Sequence, residues 1–256
     1  MNAKKMLAIA DFTFPRSEYW FYFKGLWRER GPKAIYKQFQ KHLRRPHSRA
    51  IVSRFSNPPR GIGLEIGVGA RTIAPVSRTL LSDGYEAHGH DKSIAQAYFP
   101  AAEIPFADGA FDFILSEHTL EHIGNALRAL TEWIRVLAPG GHLVLFLPHK
   151  ERTSDRLRER TTLGHLIEDF EKGVPDDDTT HVDEWIMNVT AAGGVPEHYR
   201  HIAKEDLART GSIHHHVWLA ADIKEVFQFL KLDVVLCEEL VADRTDLFVV
   251  VGRKAV

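Results

Sequence analysis

Short runs of apolar residues alternate with amphipathic stretches from residue 62 onward. Apolar runs of strand length fall at 62–66, 86–90, 111–116 and 142–147. Residues 73–81 and 126–137 have apolar positions three to four apart, the spacing of a helix with one buried face. Short continuous apolar runs are typical of parallel strands, because both faces of such strands are covered. The alternation therefore predicts a βαβ arrangement around a mostly parallel sheet.

The C-terminal part predicts a helix followed by a β-hairpin. Residues 222–230 have helical spacing, and the strand-like runs 234–241 and 247–251 are joined by the short polar connection 242–246. Residues 150–213 differ from the sequence on either side of them, because they are polar and their apolar positions show no strong periodicity. We expect them to form an insertion between the fifth and sixth strands, helical over 162–171.

Residues 1–60 predict an N-terminal helical extension, and residues 61–256 the main domain. The extension mixes aromatic and basic side chains, among them Trp20, Tyr22, Trp27 and Arg28. Such a surface could touch a membrane, an acidic glycan or a second copy of the chain. The favoured interpretation is a helical arm that packs its aromatic residues on the main domain.

Overall charge argues against a nucleic-acid partner. The 33 Lys and Arg residues nearly balance the 34 Asp and Glu residues, so no global field attracts a polyanion. The single cysteine, Cys237, cannot form an internal disulfide, which fits a reducing cytoplasm. We also expect no transmembrane segment, because no run of about 18 consecutive apolar residues occurs.

Candidate ligand-binding residues follow the predicted strands. The run 63–69 is a strand that enters a turn with glycine at Gly67 and Gly69, where only glycine lets the backbone turn sharply against a ligand. Asp91 follows the predicted second strand, where a carboxylate can accept hydrogen bonds from both ribose hydroxyls. Glu117 and His118 follow the strand at 111–116, at the edge where ligands bind in open α/β sheets.

Four segments together resemble the class I S-adenosylmethionine-dependent methyltransferases, in particular the large type 11-like subgroup. They are the glycine turn, Pro105-Phe106, Phe111-Asp112 with a following Glu-His pair, and Arg135-Val136-Leu137-Ala138-Pro139-Gly140-Gly141. The resemblance covers roughly residues 62–148. It implies a Rossmann-like α/β fold with a seven-stranded, mostly parallel sheet whose last strand is antiparallel.

The same resemblance implies a cofactor site for S-adenosylmethionine. Glu65, Gly67 and Gly69 would surround its methionine part, and Asp91 would hold its ribose. The sequence departs from the family pattern at Arg71, which replaces a third glycine. The acid or amide that often precedes Pro-Phe is also missing, so Glu103 or backbone groups would meet the adenine. Glu117 and His118 would face the cofactor or the substrate.

Histidines are the candidates for acid-base chemistry. Methyl transfer is an in-line displacement that needs a base only for some acceptors, such as alcohols and phenols. His149 directly follows the fifth predicted strand and is the first candidate for the general base. His181, His214 and His216 are alternatives that would contact the substrate or bind a metal, and an extended segment would put His214 and His216 on one face. A divalent metal is not demanded, because no His-Glu-x-x-His motif occurs.

The polar insertion favours a hydroxyl-rich acceptor, so O-methylation of a sugar or another polyhydroxylated molecule is the predicted reaction. Residues 149–163 and the His-x-His-Val-Trp pattern show a second, less specific resemblance. They resemble a bacterial branch of these methyltransferases that is often associated with the modification of surface glycans or sugars. A small aromatic or lipid-like acceptor is the first alternative. The second is a non-catalytic scaffold that kept the cofactor fold. A nucleic-acid methyltransferase and a dehydrogenase rank lower.

Overall fold

A seven-stranded sheet forms the centre of the protein. The computed structural model describes residues 45–56, 61–88, 91–193, 201–210 and 213–256. Its strands are β1 (Gly63–Ile66), β2 (Thr79–Asp83), β3 (Ala87–His88), β4 (Asp91–Lys92), β5 (Ala97–Tyr98), β6 (Phe111–Glu117), β7 (Leu137–Pro148), β8 (Leu232–Glu238) and β9 (Leu247–Lys254). The sheet order is β5-β2-β1-β6-β7-β9-β8, while β3 and β4 pair separately. Within the seven-stranded sheet, only the pairs that involve β9 are antiparallel, which confirms the predicted topology.

Helices cover both faces of this sheet. The described α-helices are α1 (Pro46–Phe55), α2 (Ala126–Val136), α3 (Leu163–Lys172), α4 (Val182–Ala191), α5 (Lys204–Arg209) and α6 (Ala220–Phe229). Alternate residues of a strand point to opposite faces, and the core is divided accordingly. Leu145 packs with α2 and α6 on one face, whereas Val144 and Phe146 pack with α1 on the other.

The described part of the N-terminal extension is a helix on the sheet. In α1, Ile51, Val52 and Phe55 are buried against the strands. The packing of the extension's aromatic residues on the main domain stays a prediction. The aromatic and basic residues of 1–44 lie outside the described residues.

The second strand lies earlier in the chain than the sequence predicted. Residues 73–81 were expected to be helical, but only the 3-10 turn Val76–Arg78 forms there, and β2 follows at once. Pro75 cannot donate a backbone hydrogen bond, and residues 79–82 pair with β1 in parallel. Residues 86–90, predicted as the strand, instead include β3 of the small separate pair.

The described parts of the insertion after β7 contain α3, α4, α5 and two 3-10 turns. The predicted helix over 162–171 is confirmed as α3, whose first turn is capped by the Thr162 hydroxyl and whose end is marked by Gly173 in the left-handed conformation. Arg158, 4% exposed, joins the insertion to the segment that follows it. Within the described ranges, no helix is long and apolar enough to span a membrane.

Candidate active site

The glycine turn after β1 lies against the start of the loop that follows β6. Gly67 and Gly69 both have positive φ, at 73° and 54°. A Cβ atom on Gly67 would lie 2.0 Å from Thr119 Oγ1, whereas a Cβ on Gly69 would meet nothing within 4 Å. The turn is thus closed on the Thr119 side and open beside Gly69, where a ligand can approach the backbone.

The carboxylate at the end of β2 is Asp83, for which the sequence offers no motif. Asp83 is buried and accepts hydrogen bonds from the Gly69 amide and from Ser93 Oγ, both at 2.9 Å. The apolar run at 86–90 predicts the second strand and therefore Asp91, whereas β2 is Thr79–Asp83 and ends on Asp83. Asp91 begins β4, and its side chain lies outside the described residues.

Glu65 is a buried acid within β1. Its side chain accepts a hydrogen bond from Thr72 Oγ1, and the residue is 2% exposed. Burial raises the pKa of Glu65 to about 8, although the Thr72 hydrogen bond works against the rise. The side chain is therefore largely protonated at neutral pH and can become an anion when a cation binds beside it.

Glu117 and His118 both lie at the end of β6, and both are bound by basic residues. Arg45 Nη1 donates to both carboxylate oxygens of Glu117, at 2.6 and 2.8 Å. Arg244 lies 3.6 Å from the same carboxylate and donates to His118 Nε2 at 3.1 Å. The two arginines come from opposite ends of the chain, so sequence spacing did not connect either one with this edge.

A group of histidines and acids continues from His118. Its Nδ1 lies 3.2 Å from Glu121 Oε1, and Glu121 is almost fully buried. The Glu121 carboxylate, His122 and His214 have potential ligand atoms within 4.8 Å of one another. Burial lowers the pKa of His122 to about 4, although Glu121 acts in the opposite direction. His122 is therefore neutral near pH 7.

His214, one of the predicted catalytic residues, belongs to this group. Its Nδ1 is 2.6 Å from Asp155 Oδ2, and its ring packs edge-on against that of His122 at 4.8 Å between centroids. Within the described residues, the other ring nitrogen of His214 has no hydrogen-bond partner. A carboxylate that orients an imidazole is a common arrangement for general bases.

His149 has different surroundings. Its Nε2 lies 2.9 Å from Glu239 Oε1, and its Nδ1 accepts the Glu151 amide hydrogen at 3.2 Å. The side chain is 8% exposed. Both ring nitrogens are therefore engaged in holding the chain where it leaves β7.

His181 and His216 join a separate group with His165 and Asp169. The expectation that His214 and His216 share one face is wrong, because the chain bends at Ile213 and His215 and the two rings contact different partners. Glu103 is also apart from the glycine turn. It is 66% exposed, bonds Arg128 of α2 at 2.8 Å, and lines a cavity together with its own neighbours and α2 residues.

Comparisons with known proteins agree with this architecture. Residues 71–145 match the family model described as a methyltransferase domain. Demethylmenaquinone methyltransferase of Mycobacterium marinum is 36% identical over 64 residues, which cover 25% of this chain and 28% of that protein. Ajmaline N-methyltransferase of Rauvolfia serpentina is 33% identical over 66 residues, 26% of this chain and 22% of that protein. The matched region spans less than a third of either relative.

Solved structures show the same fold. An S-adenosylmethionine-dependent methyltransferase from Mesorhizobium loti has a TM-score of 0.50 at 16% identity, covering 82% of this chain and 96% of that one. A chain from the complex between the Haloferax volcanii Trm112 methyltransferase activator and the putative methyltransferase has a TM-score of 0.52 at 13% identity, with coverages of 86% and 93%.

Proposed function

We propose a function for the chain on the premise that it carries a class I methyltransferase domain, whose cofactor is S-adenosylmethionine. The proposal is that the protein transfers the methyl group of this cofactor to a hydroxyl of a sugar or another polyhydroxylated acceptor. The observation that carries it is the polar group of Glu121, His122 and His214, which continues from His118 at the sheet edge that also holds the open glycine turn. We further propose that the reaction takes place in the cytoplasm, since the only cysteine is unpaired.

The residues at this edge fit the cofactor. A methionine ammonium and a sulfonium are cations, and Glu65 offers a buried carboxyl beside the turn. The open space at Gly69 accommodates a ligand close to the backbone. We assign the ribose contact to Asp83, with Asp91 as the alternative. Glu117 and His118 would complete the site, and we give Glu103 no cofactor contact, because it pairs with Arg128.

When bound, the cofactor would supply an electrophilic methyl group, and its sulfur would leave with the electrons of the broken sulfur–methyl bond as a neutral thioether. The acceptor hydroxyl must lose its proton as its oxygen bonds to the methyl carbon, and an imidazole is the suitable proton acceptor. We assign this role to His214, which Asp155 orients, in preference to His149, whose ring nitrogens are both engaged. Glu121 and His122 would hydrogen-bond further hydroxyls of the acceptor.

Methyl transfer from isotope-labelled cofactor tests the acceptor class. We expect polyhydroxylated acceptors to be labelled in preference to aromatic or lipid-like ones, because the described groups near His214 are polar. His214→Ala is expected to lower turnover about 10²–10⁴-fold with cofactor affinity unchanged, and His149→Ala to lower it less. Labelling of aromatic acceptors alone would overturn the acceptor proposal. If His149→Ala lowered turnover more than His214→Ala, His149 would be the general base instead.

Cofactor affinity is expected to depend on pH through Glu65. Because the pKa of Glu65 is raised to about 8, its carboxyl carries a proton below that pH, and a bound cation favours the ionised form. Binding therefore releases a proton below pH 8, and affinity should rise up to about tenfold per pH unit toward pH 8, then level off. Calorimetric titration with S-adenosylmethionine from pH 6 to 9 measures this.

Glu65→Gln is the matched variant for that titration, because it keeps the shape and cannot ionise. Its affinity should be less dependent on pH than that of the wild type. If the affinity rose equally steeply with pH in both proteins, the released proton would come from another group. If the folded wild type bound no S-adenosylmethionine, the non-catalytic scaffold would be the remaining interpretation. In the same series, Asp91→Asn should bind almost normally and Asp83→Asn at least about tenfold more weakly.

A further inference from the structure

Four side chains of the types that bind metal ions converge from three separate segments. His165 and Asp169 lie one turn apart on α3, so their side chains are neighbours on one face. His181 directly precedes α4, and His216 lies in the segment before α6. One ligand atom from each residue can be chosen so that all four lie within 4.8 Å of one another.

Three of the distances between these atoms are close to those around a tetrahedral metal ion. His165 Nε2 is 3.3 Å from His181 Nε2 and 3.1 Å from Asp169 Oδ2, and His216 Nε2 is 3.1 Å from the same oxygen. Ligand atoms at the usual zinc bond lengths stand about 3.3 Å apart when the coordination is tetrahedral. Three of the six ligand-atom pairs are therefore already at nearly the required spacing, and the ligand atoms of the other pairs lie within 4.8 Å.

The surroundings hold the four side chains in position. His216 is fully buried, and its ring stacks on that of Trp218 with centroids 5.5 Å apart. His165 and Asp169 belong to a helix that is capped at both ends and anchored in the core by Leu166. Preorganised ligands on rigid elements favour metal binding, because little conformational freedom is lost.

We propose that His165, Asp169, His181 and His216 form a structural binding site for one divalent transition metal ion, with zinc the best match. Imidazole and carboxylate ligands at tetrahedral spacing are the ligand set of zinc sites. Four protein ligands leave no open position for a substrate, so the ion is structural. It would tie α3 and the start of α4 to the segment that also carries His214.

Direct metal binding by the full chain tests the proposal independently of methyl transfer. Protein treated with a chelator and dialysed would be titrated with Zn²⁺, and with Co²⁺, whose visible absorption bands report tetrahedral coordination. We expect one equivalent of either metal to bind wild type, and Zn²⁺ to raise its melting temperature, because binding stabilises the folded state.

Ligand variants and a matched control make the test specific. His165→Gln and Asp169→Asn should each weaken metal binding at least about tenfold and abolish the tetrahedral cobalt spectrum. His201→Gln, which changes an exposed histidine outside the group, should bind like wild type. His165 is 35% exposed, so its variant should fold even if a change at the buried His216 prevents folding. Folded wild type that binds no metal, or equal binding by all variants, would overturn the site.

Discussion

Arg158→Met is expected to lower the free energy of unfolding by about 3–5 kcal/mol. The Arg158 guanidinium is almost completely buried and bridges three parts of the chain. It donates to Asp155 Oδ1 at 3.2 Å, to the His214 carbonyl at 2.8 Å and to Glu184 Oε2 at 2.9 Å. Methionine keeps much of the side-chain length but leaves the buried Asp155 carboxylate without this cation.

A matched exposed arginine separates this effect from a general loss of charge. Arg160 is two residues away, 53% exposed, and pairs with Asp222 at 3.3 Å. Exposed ion pairs contribute about 0–1 kcal/mol, so the free energy of unfolding of Arg160→Met should be close to that of the wild type. Urea denaturation of the three proteins under identical conditions measures the difference. If Arg158→Met lowers the free energy of unfolding no more than Arg160→Met does, Arg158 does not hold the insertion to the segment that carries His214.

Gly67→Ala is expected to cost about 2–4 kcal/mol of unfolding free energy and to abolish cofactor binding. The new Cβ would lie 2.0 Å from Thr119 Oγ1 and 2.5 Å from its Cγ2, and φ at this position is 73°. The clash can be relieved only by moving Thr119 or the turn itself. Either movement disturbs the position where we place the methionine part of the cofactor.

Gly69→Ala is the control for backbone strain without a clash. Its φ is 54°, and its added Cβ meets nothing within 4 Å, so a loss of only about 1–2 kcal/mol is expected. The double variant Gly67→Ala with Thr119→Gly should recover the steric part of the loss. Thermal and urea unfolding without cofactor measure all three. Equal losses for Gly67→Ala and Gly69→Ala would show that Thr119 does not close the turn.

Local sequence patterns determined the fold class and much of the sheet. The apolar runs that became β6, β7 and β9 are long enough to show burial on both faces, and α2 and α3 have helical spacing with recognisable caps. The glycine turn was visible because its backbone conformation restricts residue type locally. These features depend on neighbours within a few residues, which is the range over which periodicity carries information.

Tertiary structure alone decided the second strand and the grouping of the histidines. Thr79–Asp83 fits a short strand or a helical turn, and pairing with β1 selects the strand, which makes Asp83 the terminal carboxylate. His214 lies beside Asp155, and His216 beside Asp169, although their sequence separations are 59 and 47 residues. No periodicity connects residues so far apart. Their partners are chosen by how the insertion packs on the sheet, because packing brings together side chains that the chain order keeps separate.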